Sequence, residues 1–431
     1  MPTALIEQFA NPKRSARLTE LMNACKHHYR IITVMAIGCG DAFINRYWPK
    51  LELLVNQGLI KLTIADKGDL KELIAIKIEK ASHEPKSARE LELRYENLLQ
   101  VIAQRPSEVR YLNVDDPECE ARYEHLTQDL VFVLVPDDIH IKHAGHWLKR
   151  AVLVLIEKPY NYDFNEANNF EKALQQMVRL NGERNPHTFV VCIDHYLAKI
   201  FRYVLRHREE ALQRQIGVIR EIEFSVCEAG GVEPWRAPTL GAGMIYDLFC
   251  HVLALISPFV NLKSFFQGDG DPEVLVACHV DCPIRNESFA HINHPGLLDF
   301  QGRRLALKGS LGKGVGGEDV KFLRIVGERG TLTADFGPAS HGKLTLITNT
   351  GTPQPLFDIG KGHPEILDAI FEGRFVEEPV GGLTGETALD TLEILTSLRT
   401  KVDRRSQRLH EKCYPVGTTP DDIIKDIAVR L

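Results

Sequence analysis

No apolar run in the chain approaches the ~20 residues that a membrane-spanning helix needs. The segment Met1 to Arg14 carries proline and charge where an export signal would need an apolar stretch. Neither export nor membrane residence is expected, and the cytoplasm is the expected location. A surplus of positive charge is also missing. The 52 Lys and Arg against 58 Asp and Glu leave a formal charge of −6, so nucleic acid and anionic membrane surfaces would not meet the basic footprint they require. The nine cysteines are odd in number and scattered singly, which suits a reducing compartment and provides neither a disulfide framework nor a thiolate metal cluster. Internal repeats and low-complexity segments are absent too. What is present is a globular balance, 44% hydrophobic and 26% charged over 431 residues. That length fits two or three domains, and a small molecule is the expected partner.

After a helical spacing of Leu18, Leu21, Met22 and Cys25, the run from Ile31 to Ile37 is continuously apolar apart from Thr33 and ends at glycine. This is how a strand buried on both faces of a parallel sheet reads. A helical stretch from Ala42 to about Gln57 and a second run, Ile60 to Ala65, complete a first βαβ unit. Residues 67–128 are longer and more polar than a minimal repeat needs, with a charged helical stretch around Glu90 to Gln104 and a strand at Val109 to Asn113. The alternation then resumes with Leu130 to Val135, a helix from His140 to Arg150, Ala151 to Ile156, Thr188 to Ile193 and a helix from Leu197 onward. Strands alternating with helices predict a doubly wound parallel sheet. Beyond about Gln215 the pattern is strand after strand: Ile219 to Cys227, Ser264 to Gln267, Val274 to Val280, Arg304 to Gly309, Phe322 to Val326, Gly330 to Phe336 and Lys343 to Thr348. Such a series predicts a large open, mostly antiparallel sheet in an α+β domain. Pro364 to Glu372 and Gly385 to Lys401 have amphipathic helical spacing, and the tail from Arg404 reads as a solvated segment.

Gly38-Cys39-Gly40-Asp41-Ala42-Phe43 follows a strand and opens a helix, where glycines let the backbone approach a pyrophosphate at the helix N-terminus. Phe43 stands where a third glycine is usual. Asp66 ends the next strand, the place of the acid that accepts from the adenosine ribose hydroxyls. Such an acid repels a 2′-phosphate and favours NAD, while Lys67 beside it leaves NADP open. The chain accordingly reads as a dinucleotide-binding Rossmann domain over 1–195 with an N-terminal helical extension, then a substrate-binding and oligomerisation domain over 196–431.

Glu157-Lys158-Pro159 directly follows a strand, and Gly241-Ala242-Gly243-Met244-Ile245-Tyr246-Asp247-Leu248-Phe249-Cys250-His251 spaces Asp247 and His251 at i and i+4 on one helix face. Together with Pro136-Asp137-Asp138-Ile139-His140, these segments resemble the glucose-fructose oxidoreductase and inositol dehydrogenase family (Gfo/Idh/MocA). That family has a strand-glycine turn, Pro-Asn-x-x-His, Glu-Lys-Pro and Gly-Gly-x-x-x-Asp-x-x-x-His in this order. Asp137 replaces the family's Asn, and Ala242 the first Gly of its pair. Ile366 to Gly373 is similar to the family's closing helix, so the resemblance covers most of the chain. A second resemblance overlaps it: Asp194-His195-Tyr196-Leu197-Ala198-Lys199 is similar to Asp-His-Tyr-Leu-Gly-Lys of glucose-6-phosphate dehydrogenase, and Gly40-Asp41 with Pro49 and Leu51 to that enzyme's first turn and helix. The dehydrogenase's longer Gln-Asn-His helix is absent.

The resemblance implies an NAD(P)-dependent sugar dehydrogenase or reductase. Its cofactor would be held by Gly38, Gly40, Asp41, Ala42, Asp66, Pro136, His140, Glu157 and Lys158. Oxidising a carbinol needs a base for the hydroxyl proton, a task suited to imidazole, and His251 takes it. Lys158 would stabilise the developing negative oxygen or share the proton, and Asp247 or Asp194 would orient the imidazole. The second resemblance implies that His195, Tyr196 and Lys199 hold a substrate phosphate, with Tyr246 also lining the substrate site. A phosphorylated sugar or cyclitol is therefore expected; the alternative is that His195 and Tyr196 pack between domains and Lys199 is solvated. A glucose-6-phosphate dehydrogenase-like oxidation of an anomeric carbon and a catalytically silent dinucleotide sensor are the competing functions. The family also implies a homodimer or tetramer through the open sheet face.

His140, His143 and His146 recur at helical spacing but lack a carboxylate or thiol to complete a metal site. Cys278 to Cys282 reads as a strand with two small apolar positions on one face. Gly309 to Gly317 lacks phosphate-loop spacing and reads as a mobile loop.

Overall fold

A computed structural model of the chain describes residues 16–81, 85–161, 163–180, 189–193, 213–229, 245–257, 259–266, 271–277, 289–313, 319–335, 343–348, 351, 353–358, 363–373 and 382–413. The chain divides into two compact units, one of Thr3–Ala198 with Gly362–Leu389, the other of Lys199–Lys361 with Asp390–Leu431 and the first two residues. Among the described residues no helix is long and apolar enough to cross a membrane.

In the first unit, strands β1 (Ile32–Ile37), β2 (Ile60–Asp66), β3 (Val109–Asn113), β4 (Gln128–Val133), β5 (Ala151–Glu157) and β6 (Phe189–Ile193) form a parallel sheet, extended at the β6 edge by antiparallel Gly382–Thr384. The order is β6-β5-β4-β1-β2-β3. It reverses between β1 and β4, which opens a crevice at their carboxyl ends. Every residue of β5 is buried, because helices cover both faces of such a sheet. Helix Ala16–His27 and the late helix His363–Phe371 share the apolar cluster under β1, with Leu21 and Cys25 on the first and Leu367 and Ile370 on the second. The length of the 67–128 stretch goes into helices Leu70–Ala81, Pro85–Gln104 and Pro117–His125.

Phe43, where a third glycine is usual, is buried in the apolar cluster beside the sheet. It begins a π-helical turn, Phe43–Tyr47, whose wider winding takes Phe43, Ile44 and Tyr47 into the core before the α-helix Trp48–Asn56.

The second unit is built on an eight-stranded sheet of β7 (Ile219–Glu228), β8 (Glu273–Ala277), β9 (Phe289–Leu298), β10 (Arg304–Lys313), β11 (Val320–Gly327), β12 (Gly330–Asp335), β13 (Lys343–Thr348) and β14 (Pro353–Asp358). Its order is β14-β13-β12-β11-β7-β10-β9-β8, antiparallel except for β7 against β10. One face is apolar: Ile222, Phe224, Leu307, Leu311 and Leu323 are buried there, and Phe224 stacks on Phe249 at the start of the fully buried helix Cys250–Ile256. The other face is laddered with charge, Lys308 lying 2.9 Å from Glu221 and 3.0 Å from Glu223, and Arg324 2.7 Å from Glu223. This two-faced alternation marks an antiparallel sheet covered on one side.

Several expectations need correction. Ser264 to Gln267 is not a strand: Leu262–Ser264 is a 3-10 turn, with the Ser264 hydroxyl bonded to the Asn261 carbonyl at 2.7 Å. Gly309 to Lys313 is not loop but the end of β10. Gly309 is required there by a neighbour, since a Cβ would stand 2.0 Å from the Phe224 carbonyl oxygen. Residues 404–413 are helical rather than an irregular segment, as the end of helix Gly385–Cys413, and the rest of the expected tail lies outside the described residues. Strands β9 and β14 add to the expected set. The helix expected from Leu197, the segment Cys278 to Cys282 and residues 314–318 lie outside the described residues.

Candidate active site

At the end of β1, Gly38 has φ +97°, and a Cβ would stand 2.8 Å from the Leu134 carbonyl oxygen, so both conformation and packing require glycine. The Asp66 carboxylate, at the end of β2, accepts the Cys39 N–H at 2.6 Å on one oxygen and the Lys67 N–H at 2.8 Å on the other. Asp66 thus braces the turn from beneath. From above, the Tyr95 hydroxyl donates to the Cys39 carbonyl at 3.1 Å. Burial, reinforced by Asp66, pushes the Cys39 thiol well above its usual range, so this cysteine is an inert part of the wall. The helix begins at Asp41, and the first α-type bond runs from the Ile44 N–H to the Gly40 carbonyl at 3.0 Å. The N–H groups of Asp41, Ala42 and Phe43 therefore belong to the unsatisfied first turn, where an anion binds best.

Gly40 differs from Gly38. Its φ is outside the left-handed region, and a Cβ there would meet only the Lys77 ammonium, at 3.7 Å, among the described residues. Nothing among the described residues calls for glycine at this position. A backbone that must be approached closely by a ligand does, so the residues present fit a dinucleotide pyrophosphate.

At the end of β5, Glu157 is buried. Its carboxylate accepts the Tyr47 hydroxyl at 2.7 Å, faces Arg46 at 3.6 Å and accepts the Lys158 N–H at 3.2 Å. The glutamate therefore ties the turn that presents Lys158 to the π-helical turn after the glycines. Lys158 itself is half-buried, and its bond to Pro159 is cis. Pro136 is exposed at the head of the short turn Asp137–Ile139. His140 is buried, with one ring nitrogen 2.8 Å from the Val135 carbonyl oxygen and the other 2.9 Å from that of Pro159. It fastens the end of β4 to the turn after β5. His143 lies 3.3 Å from the Tyr123 hydroxyl, with burial lowering its pKa to about 4, and His146 stacks on the Tyr123 ring.

In the second unit, the residues Ile245–Phe249 form a π-helical turn that runs into helix Cys250–Ile256, so Asp247 and His251 sit one turn apart, both buried. The surprise is the neighbour of Asp247. Lys313, at the end of β10 and itself buried, reaches it at 2.5 Å and Glu228 of β7 at 3.0 Å. Glu228 is shared with Lys321 at 2.8 Å, and Lys321 lies 3.3 Å from Asp319. Burial works to strip the Lys313 proton, but the carboxylates of Asp247 and Glu228 outweigh it and raise the lysine's pKa. Burial would likewise raise Glu228, yet Lys313 and Lys321 hold it at about 2. The end of the open sheet thus carries a chain of alternating acidic and basic side chains, Asp247, Lys313, Glu228, Lys321 and Asp319. Tyr246 turns the other way: its hydroxyl is 2.7 Å from the Thr396 hydroxyl, and Arg399 lies over its ring at 5.4 Å.

Asp194, His195, Tyr196 and Lys199, with Gly241 to Met244, lie outside the described residues. Within the first unit, Gly38, Gly40, Asp41, Ala42 and Asp66 come together at one turn, and His140, Glu157 and Lys158 at another. Sequence reasoning missed Lys77, Tyr47, Tyr95, Lys313 and Glu228. Lys313 and Glu228 had a local signal, each an ionisable residue closing an apolar-alternating run.

A parallel sheet in this order, followed by a unit on an open mixed sheet, defines a two-domain architecture seen in solved oxidoreductases. The sequence matches no protein-family profile and no curated protein; the likeness is to structures. UDP-N-acetylglucosamine 3-dehydrogenase GnnA from Acidithiobacillus ferrooxidans has TM-score 0.56 at 15% identity, over 88% of this chain and 100% of its own. The aldose-aldose oxidoreductase from Caulobacter crescentus has TM-score 0.52 at 14% identity, over 88% of this chain and 98% of its own. KijD10, a 3-ketoreductase from Actinomadura kijaniata solved with NADP and TDP-benzene, has TM-score 0.52 at 16% identity, over 86% and 98%. These are members of the Gfo/Idh/MocA family, and the fold of this chain is that family's fold.

Proposed function

We propose that the chain is a nicotinamide-dinucleotide-dependent oxidoreductase acting on a carbinol or carbonyl carbon of a sugar or cyclitol. Gly40 carries this reading: a glycine that no contact among the described residues requires stands at a helix N-terminus, beside a braced turn, at the switch point of a parallel sheet. The structural neighbours support it by name: a UDP-N-acetylglucosamine 3-dehydrogenase, an aldose-aldose oxidoreductase and a 3-ketoreductase solved with NADP.

In this reading, Gly38, Gly40, Asp41 and Ala42 hold the pyrophosphate through their backbone, and Asp66 keeps the turn in shape. The bound nicotinamide supplies the hydride acceptor or donor. Pro136 and His140 shape the wall beside it, and Glu157 acts by positioning Lys158. His251 takes the hydroxyl proton in oxidation and returns it in reduction, while Lys158 stabilises the negative oxygen or shares that proton. Asp247 or Asp194 orients the imidazole. His195, Tyr196 and Lys199 bind a phosphate on the substrate, and Tyr246 belongs to the substrate-binding set. A homodimer or tetramer through the charged sheet face, in the cytoplasm, belongs to the same proposal.

The test is a screen of free and phosphorylated sugars and cyclitols with NAD and NADP, following the reduced cofactor by absorbance. With a substrate in hand, His251→Ala is expected to lower kcat by about 10²–10⁴-fold; turnover at the wild-type rate would remove His251 from the chemistry. Lys199→Ala is expected to raise KM for a phosphorylated substrate and leave that for its unphosphorylated analogue unchanged. An equal KM for both forms in the variant and the wild type would remove the phosphate site.

A further inference from the structure

The stretch between β2 and β3 is far longer than a crossover needs, and its helices are spent on the glycine turn. From helix Pro85–Gln104, Tyr95 bonds the Cys39 carbonyl, Arg94 donates to the Asn45 side-chain oxygen at 2.9 Å, and Asn97 accepts the Trp48 indole N–H at 2.8 Å. From helix Leu70–Ala81, half-buried Lys77 brings its ammonium to 3.7 Å from the position a Gly40 Cβ would take.

The charges already at this turn explain why a cation is useful there. Asp41 stands in the first helical turn, and Asp66 lies directly under Cys39. The first turn of a helix offers an anion only about half a positive charge. A pyrophosphate approaching Gly40 would face two carboxylates with that half charge alone, unless a cation balances them. The influence of Lys77 does reach the turn: it works to lower the Cys39 thiol, though burial and Asp66 prevail.

We infer that Lys77 is a phosphate ligand of the bound dinucleotide, its ammonium pairing with phosphate oxygens over Gly40. The inference rests on the dinucleotide reading above. Two phosphates could be its partner, the pyrophosphate common to NADH and NADPH or the 2′-phosphate of NADPH, and binding distinguishes them.

The experiment is a fluorescence titration of the full chain with NADH and with NADPH, for the wild type, Lys77→Ala, Lys77→Arg and Lys71→Ala, each first checked for an unchanged melting temperature. Loss of a charge-assisted bond weakens binding about tenfold or more, and Lys77→Ala is expected to do so. An equal loss for both dinucleotides assigns the pyrophosphate, and a loss confined to NADPH assigns the 2′-phosphate. Lys77→Arg is expected to bind close to the wild type, and so is Lys71→Ala, an exposed lysine on the same helix. The inference is overturned if Lys77→Ala binds both dinucleotides as the wild type does, or if Lys71→Ala loses as much, which would make the effect one of overall charge. If Lys77→Ala does not fold, Lys77→Gln takes its place under the same criteria. Failure of the wild type to bind either dinucleotide is a separate result, and it removes the functional reading itself.

Discussion

Lys313→Met is the sharpest test of the charged chain at the end of the open sheet. Lys313 and Asp247 have side chains only 6% and 8% exposed at 2.5 Å separation, and Glu228, 3.0 Å from Lys313, is 27% exposed. Removing one partner of a buried pair destabilises by about 3–5 kcal/mol, since the remaining charge stays in a poorly solvated place. An independent figure comes from Glu228. Its displacement from the ordinary 4.5 to about 2 corresponds to about 3 kcal/mol at neutral pH, divided between Lys313 and Lys321. A folded-state pKa below the unfolded one contributes stability that is full above about pH 4.5 and is lost as pH falls through about 2. Lys313→Met should therefore lower the stability of the second unit by about 3 kcal/mol at pH 7. The gap from the wild type should narrow as both carboxylates protonate. Urea titrations read by peptide-resolved hydrogen exchange over β7 and β10 keep the two units' transitions apart. Adding Asp247→Asn to Lys313→Met should recover part of the loss, because one stranded charge is removed. A loss under about 1 kcal/mol at pH 7, or a gap that stays constant into acid, would show that the reasoning fails.

Gly38→Ala and Gly40→Ala should separate folding from binding. The first forces a side chain to φ +97° and against Leu134, at a destabilisation of about 1–3 kcal/mol or more, read as a lower melting temperature. The second meets only an ordinary contact with Lys77, so it should melt as the wild type does yet bind NADH and NADPH more weakly; unchanged binding would count against the cofactor turn. Tyr47→Phe removes a 2.7 Å bond to a buried carboxylate and should destabilise the first unit by about 1–3 kcal/mol. Thermal melts test it, and a neutral result would mean that the remaining partners of Glu157, Arg46 and the Lys158 N–H among them, suffice.

The features that could be read from sequence are those whose cause is local. Continuous burial on both faces leaves a run such as Ala151 to Ile156, and one-sided burial leaves the alternation of β7 or β11. Either can be recognised without knowing a neighbour. Where the cause lies across the sheet, the reading failed. Gly309 looks like loop glycine until the Phe224 carbonyl is placed 2.0 Å from its missing Cβ. Strand β9 contains Pro295 and Gly296, a dipeptide that usually punctuates a chain, yet the strand runs through both and the Gly296 N–H bonds the His294 ring. Phe43, at odds with a third glycine, is accommodated by a π-helical turn that no propensity would have selected.

The same division runs through the site. Motifs located Asp66, Glu157 and Asp247, three carboxylates to which a cofactor or catalytic task would ordinarily be given. Each has partners within its own unit that the motif does not contain: the Cys39 and Lys67 N–H groups for Asp66, Tyr47 for Glu157, and Lys313 for Asp247. A carboxylate already holding short bonds to its surroundings is better suited to fixing geometry than to exchanging protons, because each change of protonation would break those bonds. Proton transfer in the proposed reaction is thereby left to Lys158 and His251, and anion binding to backbone N–H groups and Lys77. Asp66 fixes the glycine turn and Glu157 the turn that carries Lys158. A motif can therefore identify a site residue correctly and still leave its task undetermined, since the task follows from a partner elsewhere in the chain.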